Sequence, residues 1–454
     1  MTTETAIIIG AGLAGLATAL ELHEAGWKTM VLEARHRVGG RVFTLRDGFT
    51  ENQYAEGGGE FIEAFHPRLL DLVQRFGLQL ETLGGMGDWA QWVALEGRVG
   101  RADDVSLWGV DVEAEMKKVW AALAGLGRHV PDPAQPQAAP EATRLDPQSA
   151  ADWLRSLNVH SLAKKVFTAR LRSEFIAEPE QLSLLDLARW GAFYYRDPDD
   201  DSPSFRIVGG NDQLPQAMAS ALPDLRLGAV VTEIQQDDER VRVTYRVGQT
   251  VNRAEADEAV LAIPLGPARA ITFKPPLPPD HQAMLNGVTY GAVTKVLIQY
   301  RKRFWGEGDW NGSLLTDLPI TCIWEPTRNQ RGAGRILTVY TGAAGGAEFS
   351  AMSDDDRIAL AIAQVEQAFP GSARHVAAGR TMAWRNEPFS QGGYASFAPG
   401  EVMAYWETLR RPAGRLHFVG EHTAVHQGYM EGAVESGQRV AGALRAKKEY
   451  GLPG

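Results

Sequence analysis

A short apolar stretch, residues 6–9, runs directly into Gly10, Gly12 and Gly15 at G-x-G-x-x-G spacing, and a helix-forming run over 16–22 follows. This order points to a βαβ unit opening an α/β fold. Each glycine has its own reason. Gly10 permits the tight turn out of the strand, Gly12 lets the backbone approach a pyrophosphate, and Gly15 lets helix and strand pack closely. The free N–H groups and positive dipole end of the helix N-terminus favour phosphate at that point. A second apolar stretch, 29–32, ends at Glu33. A carboxylate there accepts hydrogen bonds from both ribose hydroxyls and repels a 2′-phosphate, so the site is predicted to take FAD or NAD rather than NADP.

Composition narrows the class. At 454 residues, with 44% hydrophobic and 22% charged positions, the chain is an ordinary globular sequence long enough for two or three domains. Its net charge of −10 argues against nucleic acid and anionic membrane surfaces as partners. The single cysteine, Cys322, allows no intrachain disulfide and no cysteine metal cluster, and no metal is expected. The apolar run 6–20 is too short and glycine-rich to span a bilayer. The N-terminus shows no basic leader and the tail from Ala446 is polar. The expectation is a soluble, cytoplasmic protein.

Further along, Arg35 and the run Arg37-Val38-Gly39-Gly40-Arg41 suggest a second backbone approach to the cofactor, with Arg41 able to meet a phosphate. The cluster Glu56-Gly57-Gly58-Gly59-Glu60-Phe61-Ile62-Glu63 is costly in backbone entropy. Close passage along a flat ligand would account for it. Leu69, Leu72, Val73 and Phe76 repeat at helical spacing up to a stop at Gly77. Helices are predicted over 111–126, 149–157, 213–222 and 432–446, and strands over 230–234, 241–247, 259–263, 293–300 and 336–340. The Pro/Ala-rich stretch 131–147 reads as an exposed loop, and the charged run 196–201 as a solvated turn.

The pattern is interleaved. A discontinuous Rossmann-like nucleotide-binding domain is expected from 1–80, 203–272 and 382–454. An inserted α+β substrate-binding domain is expected from 81–202 and 273–381. Nine of the twelve tryptophans fall in the inserted pieces, where core packing accounts for most and an aromatic cavity for some.

Five elements together resemble the flavin-containing amine oxidases, the group of monoamine and polyamine oxidases and related L-amino-acid oxidases. They are Gly10-x-Gly12-x-x-Gly15 with Glu33, Arg37-Val38-Gly39-Gly40-Arg41, the Gly209-Gly210 turn, Lys295, and Gly420-Glu421 with Gly428-Tyr429-Met430-Glu431-Gly432-Ala433. The resemblance covers nearly the whole chain. It implies that Gly10, Gly12, Gly15, Glu33, Arg35, Gly40 and Arg41 hold the ADP half of FAD, that Gly58 and Gly59 pass close to the flavin, and that Val231 backs the adenine. It further implies that Glu421 lies near the pyrophosphate and ribityl chain, Met430 offers its backbone to the flavin, and Trp384 flanks the ring. Lys295, by alternation alone a solvated strand lysine, becomes the residue that holds a water near flavin N5 and assists oxygen chemistry. Tyr394 and Tyr429, by themselves simply two buried tyrosines, become the pair that sandwiches the substrate amine. Glu63 matches a carboxylate that contacts polyamines in some relatives, and Glu60 lies nearby; a surface acid is the other reading of both.

Relatives with covalent flavin carry a cysteine just before the first cage tyrosine, where this chain has Gly393; the FAD is therefore expected to be non-covalent. The resemblance implies an oxidase that passes a hydride from the α-carbon of a small-molecule amine to flavin N5 and returns the electrons to dioxygen as hydrogen peroxide. An L-amino-acid oxidase remains the alternative and would need a cavity arginine as carboxylate clamp, with Arg68, Arg98 and Arg172 as candidates by type. A biosynthetic flavin oxidase or desaturase, and a non-catalytic flavoprotein, are further alternatives. The oligomeric state is left open.

Overall fold

The computed structural model describes residues 3–85, 91–194, 202–307 and 310–450. The strand Thr5–Ile9 lies at the centre of a five-stranded parallel sheet. Lys28–Leu32 pairs on one side of it and Glu258–Leu261 on the other, with Leu225–Arg226 and Leu416–Phe418 at the edges. Strands from widely separated stretches of chain thus meet in one sheet. All but the first residue of Thr5–Ile9 are buried, as a parallel strand covered on both faces requires.

The turn after this strand carries the glycine fingerprint. Gly10 takes φ +107°, a conformation that L side chains rarely adopt. The helix Leu13–Glu24 starts immediately afterwards. A Cβ on Gly15 would stand 2.0 Å from the Gly10 carbonyl oxygen, whereas a Cβ on Gly12 would meet no protein atom within 4 Å. One glycine is therefore demanded by packing. The other faces open cavity.

A seven-stranded sheet forms the second large layer, in the order Val376–Ala383, Val293–Tyr300, Arg335–Gly342, Cys322–Trp324, Leu314–Thr316, Trp92–Leu95, Arg98–Arg101. Every residue of Val293–Tyr300 is buried, because strands pair along both its edges and the helices Ala343–Ser350 and Asp354–Ala368 contact it. The alternation that suggests a solvated Lys295 is overruled by this burial. A smaller sheet holds Ala229–Gln236, whose register shifts between Val231 and Glu233.

Side-chain caps open two of the predicted helices. Asp111 caps Val112–Gly127 by accepting from the Ala114 N–H, and Ser149 caps Ala150–Ser156 through the Asp152 N–H. The stretch 131–147 corrects the expected exposed loop: it contains the short helices Pro136–Ala138 and Ala142–Leu145, and Pro136, Ala142 and Leu145 are buried. The run 196–201 and Trp89 lie outside the described residues. Among the described residues no helix is long and apolar enough to cross a membrane.

The two glycines make a paired prediction. Gly15→Ala should lower the melting temperature of the apoprotein, at a cost of about 1–3 kcal/mol typical of overpacking. Gly12→Ala should leave that temperature within error of the parent and weaken cofactor retention. Calorimetry of apoprotein and flavin content after purification separate the two; equal apoprotein melting shifts would refute the assignment.

Candidate active site

A cavity of about 300 Å³ runs from the glycine turn to the strands Val293–Tyr300 and Arg335–Gly342 of the seven-stranded sheet. Of the residues expected at the cofactor, Gly10, Gly12, Glu33, Arg35, Gly40, Arg41, Gly58, Gly59, Val231, Glu421 and Met430 all line it. Gly15 does not; it sits beneath the turn, pressed on Gly10. Lys295, Trp384, Tyr394 and Tyr429 line the same cavity.

At the nucleotide end, Glu33 is buried, and each of its carboxylate oxygens takes a backbone N–H: Ala11 at 2.8 Å and Arg35 at 2.8 Å. Arg35 is paired with Glu387, its Nε donating at 2.7 Å, and with Ser390. Arg41 donates to Glu421 at 2.9 Å and to the Gly393 carbonyl. A Cβ on Gly58 would stand 1.9 Å from the Arg41 carbonyl oxygen and 3.1 Å from the Trp384 ring, so packing within the protein already requires that glycine. Trp384 is held by its indole N–H on the Gly57 carbonyl at 2.8 Å.

Glu421 joins the two tyrosine-bearing loops. Besides Arg41, it accepts from the N–H of Ala395, next to Tyr394, at 3.3 Å, and from that of Gly428, next to Tyr429, at 3.0 Å. The tyrosine hydroxyls are anchored on the other side by the helix Ser161–Glu174. Tyr394 donates to the Ser173 carbonyl at 2.7 Å and shares a hydrogen bond with Tyr340 at 2.8 Å. Tyr429 donates to Glu174 and accepts from the Trp190 indole at 3.2 Å. Burial raises both phenols well above their ordinary value, so both stay neutral.

Glu60 and Glu63 depart from expectation. Neither is among the cavity-lining residues. Glu63 is buried and accepts from Ser204 at 2.7 Å, and burial pushes its carboxyl up. Glu60 is the buried partner of Lys295, at 2.9 Å. Neither is a surface acid, and neither faces the cavity to meet a second ammonium group.

Sequence reasoning missed Glu387, Ser173, Glu174 and Trp190, which carry no motif and act only by holding a motif residue. It also missed Tyr340, which lines the cavity from Arg335–Gly342. His422 lines the cavity too. Burial pushes its imidazole down to about 3, with Arg41 and Arg439 adding to the effect, and Nδ1 is buried without a protein partner. That orphaned polar atom, with the open space over Gly12, fits a polar ligand such as a dinucleotide. Among the described residues, no group of three or more His, Cys, Asp or Glu could hold a metal ion.

A sequence profile described as flavin containing amine oxidoreductase matches residues 13–445. The L-amino-acid oxidase of Demansia vestigiata is 29% identical over 458 residues, 96% of this chain and 85% of its own length. Flavin-containing amine oxidase B of Homo sapiens is 28% identical over 459 residues, with the same two coverages, 96% and 85%. The solved cyclohexylamine oxidase from Brevibacterium oxydans superposes with a TM-score of 0.87 at 27% identity, covering 99% of this chain and 100% of that one. The chain belongs to the flavin-containing amine oxidoreductase family. It is an FAD-dependent amine oxidase.

Beneath the cavity, burial pushes the Glu56 carboxyl from 4.5 up to about 7, opposed by the Asn211 N–H and reinforced by the charge of Glu60. A raised folded value stabilises only while the carboxyl is protonated. The contribution is full below the unfolded value and is lost as pH rises through about 7, amounting to roughly 3 kcal/mol. Glu56→Gln, whose amide can donate to Thr44, should therefore gain in melting temperature over the parent apoprotein between about pH 5 and about pH 8. A difference that does not change with pH would show that Glu56 does not titrate there.

Proposed function

We propose that this enzyme oxidises small amines that lack a carboxylate, taking the hydrogen from the α-carbon and yielding an imine that hydrolyses to an aldehyde or ketone and ammonia. The observation that carries the reading is the pair Tyr394 and Tyr429 bordering one cavity with Lys295 and Trp384. Two neutral aromatic rings exclude water and favour the uncharged amine, the form whose lone pair can assist loss of the α-hydrogen. Both hydroxyls are tied to Ser161–Glu174, so the rings are fixed before substrate arrives. Bound FAD would supply the oxidising power, taking a hydride at N5 and passing two electrons to dioxygen as hydrogen peroxide. Gly10, Gly12, Glu33, Arg41 and Met430 would hold it, Met430 opening the helix Met430–Tyr450, whose N-terminal dipole favours negative charge.

The strands gathered in the parallel sheet support reading 1–80, 203–272 and 382–454 as the FAD-binding domain and 81–202 with 273–381 as the substrate domain. The L-amino-acid reading is disfavoured by the arginines. Arg68 pairs with Glu431, Arg98 with Glu96 and Arg172 with Glu178, and none of the three is a cavity-lining residue. The lining arginines, Arg35 and Arg41, are engaged by Glu387 and Glu421.

Anaerobic mixing with a panel of primary amines, polyamines and L-amino acids tests the reading. Flavin bleaching is expected with amines lacking a carboxylate; bleaching only by α-amino acids would replace this reading with the amino-acid oxidase one. Non-covalent FAD is a separate prediction. Cys322, the one cysteine, is not a lining residue, so acid precipitation should leave the flavin in the supernatant, and flavin retained in the pellet would contradict it.

A further inference from the structure

Glu60 has a use that its position in the glycine cluster does not suggest. Its Oε2 accepts from Lys295 Nζ at 2.9 Å. Its Oε1 accepts from the Trp324 indole N–H at 3.0 Å and from Arg206 at 3.3 Å. Lys295 Nζ also donates to the carbonyls of Gly58 at 2.9 Å and Glu56 at 3.1 Å, and it stands 5.1 Å from the Trp324 ring centroid. An ammonium group has three hydrogens and no acceptor site. Three protein acceptors therefore account for all of them, and a bridging water would have to displace one.

We propose that Glu60 is a positioning residue: it locks Lys295 as a fixed positive charge at the cavity wall and thereby sets how fast the reduced cofactor reacts with dioxygen. The proposal rests on the oxidase reading above. In that reaction the anionic reduced cofactor gives up two electrons and one hydrogen nucleus, solvent supplies one further proton, and dioxygen becomes hydrogen peroxide. Lys295 gives no proton away. It lowers the energy of negative charge building on oxygen, and a charge that need not reorient does this most effectively. Only a carboxylate meets the demands of this place. Lys295 and Arg206 are both buried cations, Glu60 bridges them, and Glu81 is Arg206's other acidic partner. A neutral side chain would leave the two cations facing each other with one acid fewer.

The test needs no substrate, so it survives a failure of the amine reading. Holoenzyme is photoreduced, mixed with oxygenated buffer, and flavin reappearance is followed by stopped flow. Glu60→Gln should slow reoxidation roughly tenfold, within the range of coupled neighbours. Lys295→Met should slow it at least as much, and adding Glu60→Gln to Lys295→Met should bring no further loss. The flavin midpoint potential should rise in Glu60→Gln, because the negative charge behind Lys295 is gone and the positive charge at the cavity wall is left less compensated. Reoxidation at the parent rate, an unshifted potential, or an equal further loss in the Lys295→Met background would overturn the proposal. If the glutamine variant does not fold, Glu60→Asp carries the test. One methylene shorter, it keeps the charge but cannot span Lys295 and Arg206 together, and it should slow reoxidation only where Lys295 is present. No effect, or an effect independent of Lys295, overturns the proposal equally.

Discussion

One buried carboxylate, Glu421, holds the cavity together. It receives Arg41 from the N-terminal region, the Ala395 N–H from the loop of Tyr394, and the Gly428 N–H from the loop of Tyr429. Three stretches far apart in sequence thereby share one acceptor. Burying a charge is costly, and only several hydrogen bonds to the ionised form offset it. The arrangement works in both directions: the carboxylate needs these donors, and the donors' loops are tied to it. Arg41 completes the link by donating also to the Gly393 carbonyl.

The loop bearing Glu421 is fixed by the helix that follows it. Ser436 accepts from the Gly420 N–H at 2.9 Å, and Glu435 accepts from the Val425 N–H at 3.0 Å. That helix, Met430–Tyr450, packs on Leu13–Glu24 so closely that a Cβ on Gly437 would stand 2.4 Å from the Ala14 carbonyl oxygen. Contact between the first and last long helices thus carries Tyr429 and Met430 to the cavity that Gly12 opens. From the other side, Arg189 reaches the Val425 carbonyl and Gln427 while paired with the buried Asp186. A buried ion pair of this kind contributes little net stability; its effect here is to set where the Tyr429 loop lies against the helix Leu184–Tyr194.

Charge inside the molecule is arranged by the same logic. Lys295, Glu60, Arg206 and Glu81 form, in that order, a chain of alternating sign at the cavity wall, and burial pushes the Glu56 carboxyl beside them up to about 7. Nothing in the local sequence distinguishes Glu60 from Glu63. One points to a strand lysine and the other to Ser204, and that difference depends on which strand lies beneath each. Both carboxylates lie off the cavity lining for this reason: proximity to the glycine cluster places them near the cavity but does not say which way they turn.

The dinucleotide turn was legible because its causes are local. A strand, a glycine at positive φ, a close-packed glycine and a helix start are all determined within residues 5–24, and an acid at the end of the next strand completes the unit. The burial of Lys295 was not legible, because alternation describes a strand with one wet face, whereas Val293–Tyr300 is covered on both. Nor were Ser173 and Glu174, which matter only because their helix ends at the tyrosine hydroxyls. The cofactor-binding unit follows from residue order alone, since short-range sterics and hydrogen bonding specify it. Which acids and aromatics border the cavity emerges only once the chain is folded, since long-range packing selects the partner of each buried polar group.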